Sequence, residues 1–188
     1  MDAIANLVVT KFGSVVTVVN PRFEERRITN RRTHALCFAK SGRMVYYHGG
    51  REFVSDTTHA LILPMGATYT SACTEAGEFP LINFYAADTF APDGFVSLEI
   101  AGTEAYMAEY QKMEKTALIK PPNEFLSNMR TFYGILNRIY KEKLHAAEGK
   151  SYDVLRPAVH YLEDHFTDPG LTNRILAEKA LISEVYFR

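Results

Sequence analysis

The chain has 188 residues, with 21 Lys and Arg against 22 Asp and Glu for a formal net charge of −1, and it is 47% hydrophobic with twelve Phe and eleven Tyr. That apolar and aromatic content can fill a core and excludes an intrinsically disordered chain, while near-neutral charge gives no general attraction to polyanions. No apolar run reaches the roughly 18 residues of a membrane span, and MDAIANLVVTKFG lacks the basic, apolar and small-residue order of a signal peptide, so a cytoplasmic location is expected.

Over residues 7–95, short strand-like runs alternate with turn signals: LVVTKF, SVVTVVN, THALCFAK, RMVYYH, REFVS, HALILP, ATYTSAC and PLINFYA. Ser41-Gly42 and Gly49-Gly50 mark hairpin turns, and Pro64-Met65-Gly66 marks another corner. Spacing this regular predicts a sandwich or barrel, and a small β-barrel is the expected form over residues 1–101. Strand alternation separates His34, Leu36 and Phe38 from Ala35 and Cys37, and Met44, Tyr46 and His48 from Val45 and Tyr47. A barrel of this size holds either its own side chains or one small ligand. His34, Phe38, Tyr46, Tyr69, Asn83 and Tyr85 offer aromatic faces with hydrogen-bonding tips and are the expected lining of a small-molecule pocket; a core filled by the same side chains is the competing expectation. Cys37 and Cys73 read as reduced core thiols.

The run PRFEERRITNRR interleaves Arg22, Arg26, Arg27, Arg31 and Arg32 with Glu24 and Glu25. It reads as a solvated face, or as a strap in which one or two arginines fold over the barrel mouth and clamp a carboxylate or phosphate. A metal centre needs three or four convergent ligands. No His-x-His pair occurs, and His48 and His59 stand without spaced carboxylate partners, so no metal and no cofactor is expected. The chain also lacks a G-x-S-x-G elbow, a P-loop and a dinucleotide glycine motif, so it is not expected to be an enzyme.

Helical spacing takes over in residues 102–149. TEAYMAEYQKMEKTAL forms one helix, Pro121-Pro122 breaks it, and NEFLSNMRTFYGILNRIYKEKLHAA forms a longer second helix from near Asn123. Phe125, Met129, Phe132, Leu136, Ile139 and Tyr140 make a wide apolar stripe on that helix, which either packs on its own barrel or meets a second copy. Glu148-Gly149-Lys150-Ser151 reads as a linker.

In residues 150–188, Leu155, Val159, Leu162 and Phe166 line one helical face, Asp168-Pro169-Gly170 turns the chain, and Thr172 caps a short helix carrying Ile175, Leu176, Ala177 and Ala180. His160 and His165 read as solvated or capping. Leu181 and Ile182 cover the next corner, and Ser183 caps a third helix with Glu184 at its positive end.

The phrase LTNRILAEKALISEVYFR resembles the first helix-turn-helix of AraC/XylS-type transcriptional regulators, and THALCFAKSGRMVYYHGGREFVSDTTHALILPMGATYT resembles the cupin-like sensor domain of the same family. The resemblance implies an α+β protein: an N-terminal cupin-like β-barrel that holds a small effector, often a sugar or other metabolite, then dimerisation helices that make a homodimer, then a partial helix-turn-helix. It implies that Ser183 is the N-cap of a recognition helix and that Val185 and Arg188 face bases of operator DNA in a longer parent. From residue 151 onward four basic residues stand against six acidic ones, so this chain is expected to bind operator DNA weakly or not at all. A cupin-fold enzyme, such as an isomerase, and a non-catalytic structural dimer with a filled barrel are the alternatives.

Overall fold

Short apolar-polar alternations and two amphipathic helical stretches sort the chain into strands followed by helices. The computed structural model describes residue 4, residues 7–90 and residues 92–187, with side chains described outside 145–153. The chain divides into two compact units, Met1–Glu142 and Lys143–Arg188.

In the first unit the strands are β1 (Val9–Asn20), β2 (Glu25–Ile28), β3 (His34–Cys37), β4 (Arg43–His48), β5 (Arg51–Ser55), β6 (His59–Leu63), β7 (Tyr69–Glu75), β8 (Gly77–Ala86) and β9 (Val96–Glu99). They form two antiparallel sheets, one in the order β1-β8-β3-β6-β9 and the other β2-β7-β4-β5. Of the sandwich and the barrel that the strand spacing allows, the structure has two facing sheets, and the expected barrel is not closed among the described residues. Among the described residues a single isolated bridge, Asp56 to His59, joins the sheets at the β5–β6 corner. A ladder with more residues would be needed to close them.

Gly13 read as a break between two strands, yet β1 runs on through it. The register against β8 slips between Phe12 and Val15, so the break is absorbed as a bulge. The β4–β5 hairpin turns at Gly49 and Gly50, with φ of 56° and 75°, conformations that a Cβ would strain. Two strands lay outside the expected set. β2 carries the Glu-Arg run and pairs with β7 from Glu25↔Ala72 to Ile28↔Tyr69, and β9 is a four-residue edge strand on β6. An edge strand that faces solvent carries charge without cost, which hides it from an apolar pattern.

Helix α1 spans Glu104–Ile119 and α2 spans Glu124–His165. The outer face of the five-stranded sheet is apolar, with Leu36, Phe38, Ile62, Ile82 and Phe84 at 0% exposure, and it packs against Tyr106 and Met113 of α1 and Phe132, Ile135 and Ile139 of α2. Burying each such side chain contributes about 1.5–3 kcal/mol. Tyr133 ties α2 to the first strand, its hydroxyl accepting from Val9 N at 2.9 Å and donating to Leu7 O at 3.1 Å. The stripe expected at a dimer contact is corrected accordingly. Phe132, Leu136 and Ile139 are buried within their own unit, because the sheet would otherwise leave a wide apolar face in water; Met129 packs partly buried on the same core. Tyr140 is half-buried, and Phe125 is 44% exposed with its ring 6.1 Å from Phe12.

The expected linker at residues 148–151 lies inside the bounds of α2. One glycine costs a helix only about 1 kcal/mol, too little to end it between good helix formers. In the second unit, α3 (Asn173–Lys179) and α4 (Glu184–Phe187) follow. Ala158, Leu176 and Ala180 are buried together, with Leu155, Tyr161, Leu171, Ile182 and Phe187 around them. The packed face of the first helix is thus Leu155, Ala158 and Tyr161. Leu162 and Phe166, expected on it, are 39% and 74% exposed, and Leu181, expected to cover the corner, is 93% exposed with φ of 54°. Small Ala158 admits the close approach of α3 that larger side chains would block. His165 stacks on Tyr161 at 4.0 Å and donates from Nδ1 to its carbonyl. Thr172 caps α3, its side chain accepting from Ile175 N at 3.4 Å. Thr172→Ala is expected to cost this unit about 1 kcal/mol, read as a lower helical signal on heating by circular dichroism.

Candidate functional site

Between the two sheets aromatic and small side chains pack together. Tyr46 from β4, Tyr69 from β7, Cys37 from β3, and Phe95 just before β9 belong to one buried cluster. The Phe95 ring lies 6.0 Å from Tyr46, 5.2 Å from Tyr69, 5.2 Å from Phe53 and 4.8 Å from His48. The Tyr46 hydroxyl and the Cys37 thiol share a hydrogen bond at 3.4 Å. Burial pushes Tyr46 well above its ordinary value and raises Cys37 and Tyr69, although the Arg31 charge pulls all three the other way. These groups are neutral at neutral pH.

Arg31 reaches into this wall from the loop after β2. Asn30 turns the chain at φ of 50°, and the Arg31 backbone is pinned at both ends, its N–H donating to Ala67 O at 2.9 Å and its carbonyl accepting from Gly66 N at 2.7 Å. The guanidinium donates from Nη1 to the Tyr69 hydroxyl at 2.9 Å and from Nη2 to Asn83 Oδ1 at 2.6 Å. Asn83 is itself fixed: its Nδ2 donates to Ser14 O and Oγ at 3.2 and 2.9 Å, and Thr33 Oγ1 donates to its Oδ1 at 3.1 Å. Arg31 Nε is buried and makes no hydrogen bond. Both groups that hold the guanidinium are neutral, and among the described residues no carboxylate pairs with it.

Of the six residues expected to line the pocket, Tyr46, Tyr69 and Asn83 face the inter-sheet space. Tyr85 shares the face of Asn83 at the end of β8, half-buried under the Lys11 ammonium at 5.8 Å. His34 and Phe38 are corrected. They lie on the opposite face of β3, where Phe38 stacks on Tyr106 at 5.5 Å and His34 stacks on Phe84 at 5.5 Å with Phe90 edge-on at 5.1 Å. β3 turns Ala35 and Cys37 inward instead, because facing strands leave room for small side chains while the helices demand large ones. Alternation identified the two faces of β3; it carried no sign of which face was inner.

Burial, then the nearby Arg31 charge, holds His34 below its ordinary value, and its Nδ1 accepts from Met65 N at 3.1 Å. A depressed histidine stays neutral in the folded state while the unfolded chain takes up the proton. Its stabilising contribution is full above the ordinary imidazole value of about 6.5 and fades as pH falls from there through the folded value. Stability is therefore expected to drop below about pH 6.5, with His34→Gln flattening that part of a chemical-denaturation profile.

The other arginines of the run stay at the surface. Arg26 pairs with Glu24, and Arg22 donates to Thr74 O at 3.1 Å with its guanidinium 4.6 Å from the Phe23 ring. Arg27 and Arg32 are exposed. Nothing in the local pattern singles out Arg31 among the five; its selection comes from the corner at Gly66 and Ala67. Phe95 and Phe53 were missed because each sits beside charge or glycine and carries no alternation of its own.

A hollow of about 340 Å³ lies between α1 and α2 in the first unit, with Lys112, Arg130 and Arg138 beside Glu109 and Tyr106. Arg138 is committed there, donating to Ala105 O at 2.8 Å and pairing with Glu142 at 3.5 Å. Among the described residues no three His, Cys, Asp or Glu side chains converge as a metal site would require, and no helix is long and apolar enough to cross a membrane. In the second unit Ser183 Oγ accepts from Tyr186 N at 3.2 Å, and Val185 is 86% exposed on α4. Arg188 lies outside the described residues.

No protein-family profile matches the chain, and no curated protein sequence matches it. Among solved structures it is similar to the AraC-like transcriptional activator CuxR, with 16% identity and a TM-score of 0.51 over 91% of this chain and 67% of that one. The fold is AraC-like. ToxT from Vibrio cholerae O395 is a more distant likeness, with 8% identity and a TM-score of 0.45 over 93% of this chain and 71% of that one. The AraC-like fold includes a cupin-like domain, which here is the pair of facing sheets, and it agrees with the α+β class expected from the order of strands and helices.

Proposed function

We propose that the chain is the effector-sensing and dimerising part of a ligand-responsive transcriptional regulator, with a helix-turn-helix-like segment over residues 150–188 and no catalytic activity. The observation that carries this reading is Arg31, an arginine pinned between Tyr69 and Asn83 in a cupin-like domain, with its Nε buried and without a hydrogen-bond partner. A small molecule bound to this domain would favour one arrangement of it over another, and the difference in affinity between arrangements is what a sensor transmits. The exposed Leu118, Ile119 and Leu126 where α1 passes into α2 support a homodimer, since apolar side chains clustered in water mark a contact surface.

Ser183 and Val185 fit the start of a recognition helix, and Arg188 is assigned there by resemblance alone. The excess of acidic residues in this part leaves little phosphate affinity, so a gel shift with the 188-residue chain is expected to show no salt-sensitive, sequence-specific complex. Native mass spectrometry tests the sensor. A dimer bearing a discrete organic adduct is the expected spectrum; a bare monomer overturns both the dimer and the occupied pocket, and a metal-bearing species would favour a cupin-fold enzyme.

A further inference from the structure

We propose that the hollow between α1 and α2 is a binding site for a phosphomonoester on a small hydroxylated body, a phosphorylated sugar or polyol. The site is separate from the space between the sheets, and the inference does not depend on the sensor reading.

Two cations set the chemistry. Lys112 of α1 and Arg130 of α2 line the same hollow, and among the described residues neither side chain makes a hydrogen bond or an ion pair. Like charges gathered at one place repel, and an anion between them relieves the repulsion. The third cation, Arg138, is already balanced: its Nε pairs with Glu142 at 3.5 Å and its Nη1 donates to Ala105 O at 2.8 Å. Two uncommitted cations exceed what one carboxylate neutralises, whereas a phosphomonoester brings a charge of about −1.5 to −2 and three acceptor oxygens. Arg130 suits two of those oxygens through its planar fork, and Lys112 adds a point charge from the other helix.

The remaining lining sets the body. Glu109 stands one turn before Lys112 on α1, and among the described residues it makes no ion pair. An ionised carboxylate only accepts hydrogen bonds, so it takes a ligand hydroxyl and repels a second anionic group. Tyr106 is fully buried, its ring stacked on Phe38 at 5.5 Å with the Arg138 guanidinium 5.4 Å from its centroid, so it offers no face on which a base could stack. Gly134 leaves the floor open, since a Cβ there would meet nothing within 4 Å. The volume of about 340 Å³ is at the small end of ligand pockets and suits a sugar phosphate.

The test is calorimetric titration of the full chain at about 0.15 M salt with glucose 6-phosphate, ribose 5-phosphate and glycerol 3-phosphate, beside glucose, gluconate and AMP. At least one of the first three is expected to bind, with glucose and gluconate at least about 10-fold weaker. Arg130→Gln and Lys112→Gln replace exposed side chains, and each is expected to weaken that binding about 10-fold. Gly134→Leu fills the hollow and puts a better helix former at an exposed helical position. It is expected to abolish binding with a thermal midpoint no lower than the parent's. Binding of none of the three phosphates, glucose or gluconate binding as tightly as they do, or AMP binding more tightly would each overturn the proposal. So would glutamine variants within twofold of the parent. The sensor reading is decided separately, by the native mass spectrum, whatever these titrations give.

Discussion

Phe132→Ala is expected to lower the stability of the first unit by about 3–5 kcal/mol. The ring is fully buried, 5.0 Å from Phe84 and 5.5 Å from Phe12, at the centre of the contact between α2 and the outer face of the five-stranded sheet. Truncation removes the transfer free energy of the ring and leaves a cavity, because a sheet and a helix held by Ile135, Ile139 and Tyr106 cannot collapse into it. Urea unfolding should show a lower midpoint with an unchanged slope. The same loss at every protein concentration separates a core role from the dimer contact that the apolar stripe had suggested, since a dimer contact would make the midpoint concentration-dependent. Leu126→Ala, at 71% exposure on the same helix, is expected to stay within about 0.5 kcal/mol of the parent in monomer stability, and to weaken self-association if that surface meets a second copy.

Gly77→Ala is the second large effect, expected at about 3 kcal/mol with poor recovery of folded protein. A Cβ at position 77 would stand 2.0 Å from Ser41 O and 2.5 Å from Ser41 C. Both are backbone atoms, so no rotamer change relieves the clash. The turn at Ser41-Gly42 would have to move, and it is held there by Lys40 N donating to Glu78 O at 2.9 Å and Glu78 N donating to Ser41 Oγ at 3.2 Å. The measurement is the thermal midpoint beside that of Gly49→Ala. Gly49 has φ of 56° and open space where a methyl group would stand, so its loss should be only the left-handed penalty of about 1 kcal/mol. Similar midpoints for the two variants would show that the Ser41 turn yields.

Much of the fold was legible. β4 and β5 fall on RMVYYH and REFVS as read, because Gly42 and Gly49-Gly50 mark the turns that flank β4 and open β5. The caps at Thr172 and Ser183 were legible for a similar reason: a cap is a contact between residues two or three apart and needs no tertiary partner. β2 was not legible, since an edge strand of Glu-Arg-Arg-Ile reads as solvated surface until β7 is there to pair with it. Half of the candidate site was visible as Tyr46, Tyr69 and Asn83. The rest depended on which way β3 faces, a choice that flips every side chain on the strand at once.

By itself the sequence determined the local grammar: where strands and helices start and stop, that strands precede helices, and that the chain has enough apolar surface to build a core. These follow from propensity, spacing and turn chemistry within a few residues. Only the tertiary structure decided that the sheets stay open, that Phe38 and Phe132 serve the helix–sheet core, and that one arginine of five turns inward. Each of those choices is made by partners far apart in the chain. Phe38 meets Tyr106, Phe132 meets Phe84, and Arg31 meets Asn83, so no window short enough to show periodicity contains both members of the pair.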